Sequence, residues 1–200
     1  MKRAEVTAKT PLHLTMRLKE KLPTLRRKFL LKEFQKCVHG AKAHGLSVIH
    51  FSIQYNHVHL IAETRDNKAL ALGMRSLASR FGKIIRSYSH QTGFGSKGGS
   101  VFKGRYHLHA LRTPLETRNA LRYVLLNFSK HEKLVEHVDE YSSARFFRNW
   151  TMLLGKKFKG PIRTDAHFYS VRATARDAEE WGLSHPRSWL ASRGWMRAAA

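Results

Sequence analysis

Two hundred residues with 42% apolar content can close a hydrophobic core and lie well outside disordered composition. Lys and Arg number 37 against 14 Asp and Glu, a formal charge of +23, so the chain is expected to seek a polyanion whose counterions it displaces. The single cysteine, Cys37, excludes an internal disulfide framework and a Cys-cluster zinc site. No apolar run suits a leader peptide or the roughly eighteen residues of a membrane span, which leads us to expect a cytoplasmic, nucleoid-associated protein with no membrane partner.

Residues 11–19 alternate, with Leu12, Leu14, Met16 and Leu18 on one side and His13, Thr15 and Arg17 on the other, which predicts a half-buried strand. From Thr24 the apolar residues recur at threes and fours (Leu25, Phe29, Leu30, Phe34, Cys37, Val38, Ala41), the spacing of an amphipathic helix that closes at His44-Gly45. Alternation returns over residues 47–55, with Ile49, Phe51, Ile53 and Tyr55 expected on one face. A tight turn at Asn56 then leads into a strand over 57–63, so the two read as a hairpin.

Asp66-Asn67 caps a second long helix marked by Leu70, Met74, Leu77, Phe81, Ile85 and Tyr88. The glycine-rich residues 93–99 are expected to be a connector. They lack the strand-before, helix-after setting of a phosphate loop. Residues 101–111 read as a fourth strand, and Thr113-Pro114 opens a third helix to about Lys130. The order β-α-β-β-α-β plus a helix predicts an α+β protein of ferredoxin-like type, an antiparallel sheet with helices on one face. The expected division is a domain over 1–142 and a basic, aromatic extension over 143–200, dispensable for folding.

Two His-x-His pairs stand on strands: His57-Val58-His59 and His107-Leu108-His109. Residues i and i+2 share a strand face, so either pair could reach one cation. Among 13 histidines, two polar residues on a wet strand face are the commoner outcome. On the third helix, Leu121, Val124, Leu125 and Phe128 form the apolar stripe. Tyr123 and Asn127, one turn apart, project together away from it. An isolated helix would leave that face in water, although Leu126 on the same side argues for a cover.

The stretches HFSIQYNHVHLIAE, VFKGRYHLHALRTP and NALRYVLLNFSKH, in this order, resemble the single-tyrosine HUH transposases, closest to the REP-associated branch. The resemblance runs from about Pro11 to about Ala144, and the expected element order agrees with that family's fold. It implies that His57 and His59 are metal ligands, with Asn127 the third and Tyr123 the nucleophile; Phe128 stands where the family usually carries proline. His107 and His109 match no metal position and are placed near the DNA path.

The implied chemistry is transesterification: the tyrosine oxygen attacks phosphorus, giving a 5′-phosphotyrosine and a free 3′-hydroxyl, and the retained bond energy lets rejoining proceed without ATP. Mg²⁺ or Mn²⁺ would polarise the scissile phosphate. A tyrosine on one helix reaches only unpaired backbone, so the expected partner is single-stranded or hairpin-flanking DNA, bound by a monomer or homodimer. The expected grip is Arg75, Arg80, Lys83, Arg86, Lys103 and Arg105 flanking the site, with Lys156, Lys157 and Lys159 among the tail aromatics Trp150, Phe158, Trp189 and Trp195. The alternatives are a non-catalytic basic nucleic-acid-binding protein and a metal hydrolase that leaves no protein–DNA adduct.

Overall fold

The computed structural model describes residues 5–94, 99–132, 139–154 and 174–198. Its elements are β1 (Leu12–Arg17), α1 (Lys28–Lys42), β2 (Ser47–Ile53), β3 (His57–Glu63), α2 (Asn67–Gln91), β4 (His107–Ala110), α3 (Pro114–Glu132), α4 (Trp150–Leu154), α5 (Ala175–Glu180) and α6 (Trp189–Ser192), with 3₁₀ turns at Ser143–Phe146 and Gly194–Arg197. The sheet runs β2-β3-β1-β4 with every pairing antiparallel, the order that the β-α-β-β-α-β reading requires. No described helix is long and apolar enough to cross a membrane.

Strand alternation divides the molecule into two cores. Leu12, Leu14, Val58 and Leu60 face α1 and α2, whose stripes of Leu30, Phe34 and Val38 and of Leu70, Leu77 and Phe81 close over them. Phe34 meets Phe51 and Phe81 edge-on at 5.1 and 5.0 Å, a geometry aromatic quadrupoles favour. Gly45, at φ +85°, lets the chain turn sharply out of α1 into β2. The Asp66 carboxylate accepts from the Ala69 amide at 2.7 Å and starts α2.

The opposite sheet face carries α3. Thr113 and Glu116 form a reciprocal cap: the Glu116 amide donates to Thr113 Oγ1 at 3.1 Å, and Glu116 Oε2 accepts from the Thr113 amide at 3.0 Å. Leu121, Val124 and Leu125 then pack with Ile49 and Ile61. The helices therefore occupy both faces, α1 and α2 on one and α3 on the other.

Three local expectations are corrected. In β2, a bulge between Val48 and His50 inserts one extra residue, so Ile49 joins the α3 core while Phe51 and Ile53 stay with α1 and α2; Tyr55 lies beyond the strand, exposed. The fourth strand is only four residues long. Upstream of it the chain runs beside the end of β1, with Lys103 N donating to Arg17 O at 2.8 Å, before Gly104, at φ +65°, turns it into β4. Of the connector over 93–99, residues 95–98 lie outside the described residues.

The third correction concerns the tail. Phe147, Trp150, Leu153 and Trp195 are buried in the α3 core, so Trp150 and Trp195 cannot stack on bases; Trp189 is half exposed. Buried Arg118 on α3 donates to the carbonyls of Ala198 at 2.7 Å and Met152 at 3.3 Å. Glu63, also buried, accepts from the amides of Arg187 and Ser188 at 2.9 and 2.8 Å. The tail satisfies polar groups of the sheet and of α3 as well as covering their apolar faces, so packing continues across residue 142.

Candidate active site

Because alternation sends Val58 and Leu60 into the first core, His57 and His59 emerge on the other face, under α3. There the His59 ring meets the Tyr123 ring edge-on, centroids 4.9 Å apart and planes at 82°, and the His57 ring at 4.6 Å. Asn127, one turn beyond Tyr123, is 2% exposed, whereas Tyr123 keeps 39% of its surface. The helix face that looked polar and wet is covered by the sheet at Asn127 and opens to solvent at Tyr123. α3 continues past residue 128 to Glu132, so phenylalanine in place of proline permits the helix to run on.

The hydrogen bonds constrain the protons. His57 Nδ1 lies 2.8 Å from Asn56 Oδ1, an oxygen that only accepts, so Nδ1 is the donor of that bond. His59 Nδ1 lies 3.0 Å from Thr15 Oγ1 and 3.2 Å from His13 Nε2. His59 Nε2 and Asn127 Nδ2 are buried without a hydrogen-bond partner among the described residues. Burial, then the neighbouring His57 and His13, pushes His59 down to about 3. Burial, then His109 and His107, pushes His13 down to about 4. Both rings are neutral at neutral pH, the form that offers a lone pair to a cation.

Among the described residues no three His, Cys, Asp or Glu side chains form a metal-binding group. A donor set here would have to go beyond those residue types, as the Asn127 carboxamide does. A buried polar atom left unsatisfied, as His59 Nε2 and Asn127 Nδ2 each are, is what a missing ligand would explain. Two imidazoles with a carboxamide, turned by half a rotation to present Oδ1, fit a divalent ion that accepts nitrogen donors.

The structure sorts the other expected residues. His107 and His109 are exposed on β4, opposite Thr15 and His13 of β1, and so share the sheet face of His57 and His59; His109 Nε2 stands 3.9 Å from Glu116 Oε1. Arg75, Lys103 and Arg105 do meet: with Arg17 and Tyr106 they line a groove of about 500 Å³ floored by Met16, Met74 and Phe102. Its floor belongs to the α1–α2 core, so the groove lies on the α2 side of the sheet; of its lining, Arg17 is the register partner of His57.

Arg80, Lys83 and Arg86 do not flank Tyr123. The stripe of α2 buries against the other sheet face, which turns Arg80 toward Gly40 of α1 and sets Arg86 donating to the Gly99 carbonyl. Lys156, Lys157, Phe158 and Lys159 lie outside the described residues. The residues that sequence reasoning missed are His13 and Thr15. Alternation had placed them on one face, but not beside His59.

A family model described as "Transposase IS200 like" matches residues 7–126. No curated protein matches the chain. Among solved structures, the REP-associated tyrosine transposase bound to a REP hairpin is similar over 71% of this chain and 80% of its own, with TM-score 0.54 and 16% identity, a likeness of fold. A transposase-like protein from Deinococcus radiodurans is similar over 55% of this chain and 85% of its own, with TM-score 0.41 and 16% identity.

Proposed function

The chain belongs to the IS200-like transposase family, and from that premise we propose that it cuts and rejoins single-stranded or hairpin-flanking DNA through a covalent bond to Tyr123. The observation that carries this reading is the Tyr123 ring packed on His59 beside two buried, unsatisfied polar atoms, with the phenol end of α3 open to solvent. The half-open position suits a nucleophile that must meet a backbone brought from outside.

In this reading Tyr123 Oη attacks phosphorus as the phenol proton is lost. The new bond joins Tyr123 to the 5′-phosphate; the bond to the 3′-oxygen breaks, and that oxygen takes up a proton. Reversal from a second 3′-hydroxyl releases Tyr123 and rejoins the strand. His57, His59 and Asn127 would hold Mg²⁺ or Mn²⁺, which supplies charge to polarise the phosphate and align it for in-line attack. Packing against His59 and His13 fixes the Tyr123 ring.

The groove of Arg17, Arg75, Lys103 and Arg105 supplies a grip on the α2 side of the sheet, from the end of β1 where Arg17 pairs with His57, with Tyr106 as a stacking surface. His107 and His109, on the sheet face of His57 and His59, would line the DNA path on that side. That the solved transposase of like fold is bound to a REP hairpin supports a hairpin partner here. The test incubates the protein with labelled single-stranded hairpin DNA and Mg²⁺ and looks for a covalent adduct on a denaturing gel. Binding without an adduct would make this a non-catalytic DNA-binding protein; cleavage without one would make it a hydrolase.

A further inference from the structure

We propose that His13 and Thr15 are positioning residues that hold His59 in its Nδ1–H tautomer and so reserve the Nε2 lone pair for the cation. The inference rests on the reading of His59 as a metal ligand and adds what sets its protonation geometry.

Thr15 is the direct register partner of His59 across β1 and β3, and His13 lies two residues along the same strand face. Their polar atoms converge on one nitrogen, His59 Nδ1, from 3.0 and 3.2 Å. The other ring nitrogen is buried and meets nothing among the described residues. A neutral imidazole has one proton to place. On Nε2 it would be a buried donor with no acceptor. On Nδ1 it has two acceptors, the Thr15 hydroxyl oxygen and the His13 Nε2 lone pair.

The second placement satisfies the buried donor and leaves an unprotonated nitrogen where a cation needs one. It also fixes the rotation of the ring, because two partners on different residues pin one atom. His57 shows the same logic independently, its Nδ1–H being tied to Asn56 Oδ1. His13 touches a second part of the site as well: its ring lies edge-on to Tyr123, centroids 5.7 Å apart, so one side chain of β1 braces both the ligand and the nucleophile. Outer partners of this kind typically change metal affinity by roughly 10–100-fold when removed.

The decisive measurement is a long-range ¹H–¹⁵N correlation spectrum of the metal-free full chain, with the His59 ring assigned by its loss in His59→Gln. We expect wild type to show the Nδ1–H pattern. His13→Phe with Thr15→Val keeps ring and shape but removes both acceptors, and should mix or invert the tautomer. The same pair should weaken Mn²⁺ binding, read by calorimetry without DNA, by tenfold or more. His13→Gln restores an acceptor at the Nε2 position and should rescue both readouts; where the double variant does not fold, His13→Phe and Thr15→Val are read singly, each expected to weaken Mn²⁺ binding and to shift the tautomer part of the way.

A wild-type Nε2–H pattern, or a tautomer and affinity unchanged in the variants, overturns the proposal. Wild-type protein that binds no Mn²⁺ while showing Nδ1–H would instead sink the metal reading and leave the positioning standing.

Discussion

Replacing Trp195 by alanine tests whether the tail is part of the body that holds the Tyr123 helix. Trp195 is 1% exposed and its ring lies 5.7 Å from that of Phe147, which packs on Trp150 at 5.0 Å; this cluster backs Leu121, Val124 and Leu125 of α3. Truncating a fully buried tryptophan removes its transfer energy and leaves a cavity, together about 3–5 kcal/mol. At about 2–4 °C per kcal/mol for a chain of this length, the midpoint should fall by roughly 6–20 °C.

The matched control is Trp189→Ala. That ring is half exposed and stacks with the Arg197 guanidinium at 5.6 Å, a contact of about 0.5–1 kcal/mol at an exposed site, so the shift should stay within about 1–4 °C. Thermal melts followed by circular dichroism, with DNA cleavage assayed below both transitions, supply the comparison. A chain ending at residue 142 loses the same cover and should melt far below wild type or aggregate. Equal shifts from the two tryptophans, or a truncated chain that melts like wild type, would refute the argument and restore the tail as a dispensable DNA-binding appendage.

Tyr123→Phe should abolish the covalent adduct while DNA affinity in a filter or gel-shift assay stays near wild type, since only one oxygen is removed; residual adduct would transfer the nucleophile's role elsewhere. His57→Ala and His59→Ala should each lose Mn²⁺ binding and metal-dependent cleavage, whereas His107→Ala and His109→Ala, exposed on β4, should keep Mn²⁺ binding by calorimetry; equal losses in both pairs would undo that assignment. His50, bonded to Ser143 Oγ at 3.1 Å, is pushed by burial from 6.5 to about 4, so the folded chain stays unprotonated there while the unfolded chain takes up a proton. Its contribution is intact above pH 6.5 and is lost as pH falls toward 4, at most about 3 kcal/mol, so His50→Asn should flatten that part of a urea-midpoint profile measured from pH 7.5 to 4.5.

Local patterns in the chain sufficed for the elements and the fold. Leu12, Leu14, Met16 and Leu18 alternate because one face of β1 is buried, and the spacing of Leu30, Phe34, Cys37 and Val38 is that of one buried helix face; both periods are properties of the backbone that any alignment with a core makes visible. The His57-Val58-His59 strand and the Tyr123–Asn127 turn could be located for the same reason, since each pair lies within one element.

What the sequence could not decide are relations between elements. That Thr15 stands opposite His59 depends on the strand order and register of β1 and β3, which bring together His13 and His59 from 46 positions apart in the chain. That Ile49 leaves the face of Phe51 depends on one bulged residue, which periodicity counts as noise. Arg75 and Arg80 carry the same charge on the same helix. Only the packing of α2 against the far face of the sheet puts one at the rim of the groove and the other against α1. Likewise Trp189 and Trp195 are indistinguishable as residues, and the closing of the chain end over α3 leaves one in water and buries the other, because burial is decided by what arrives from elsewhere in the chain and not by the residue itself.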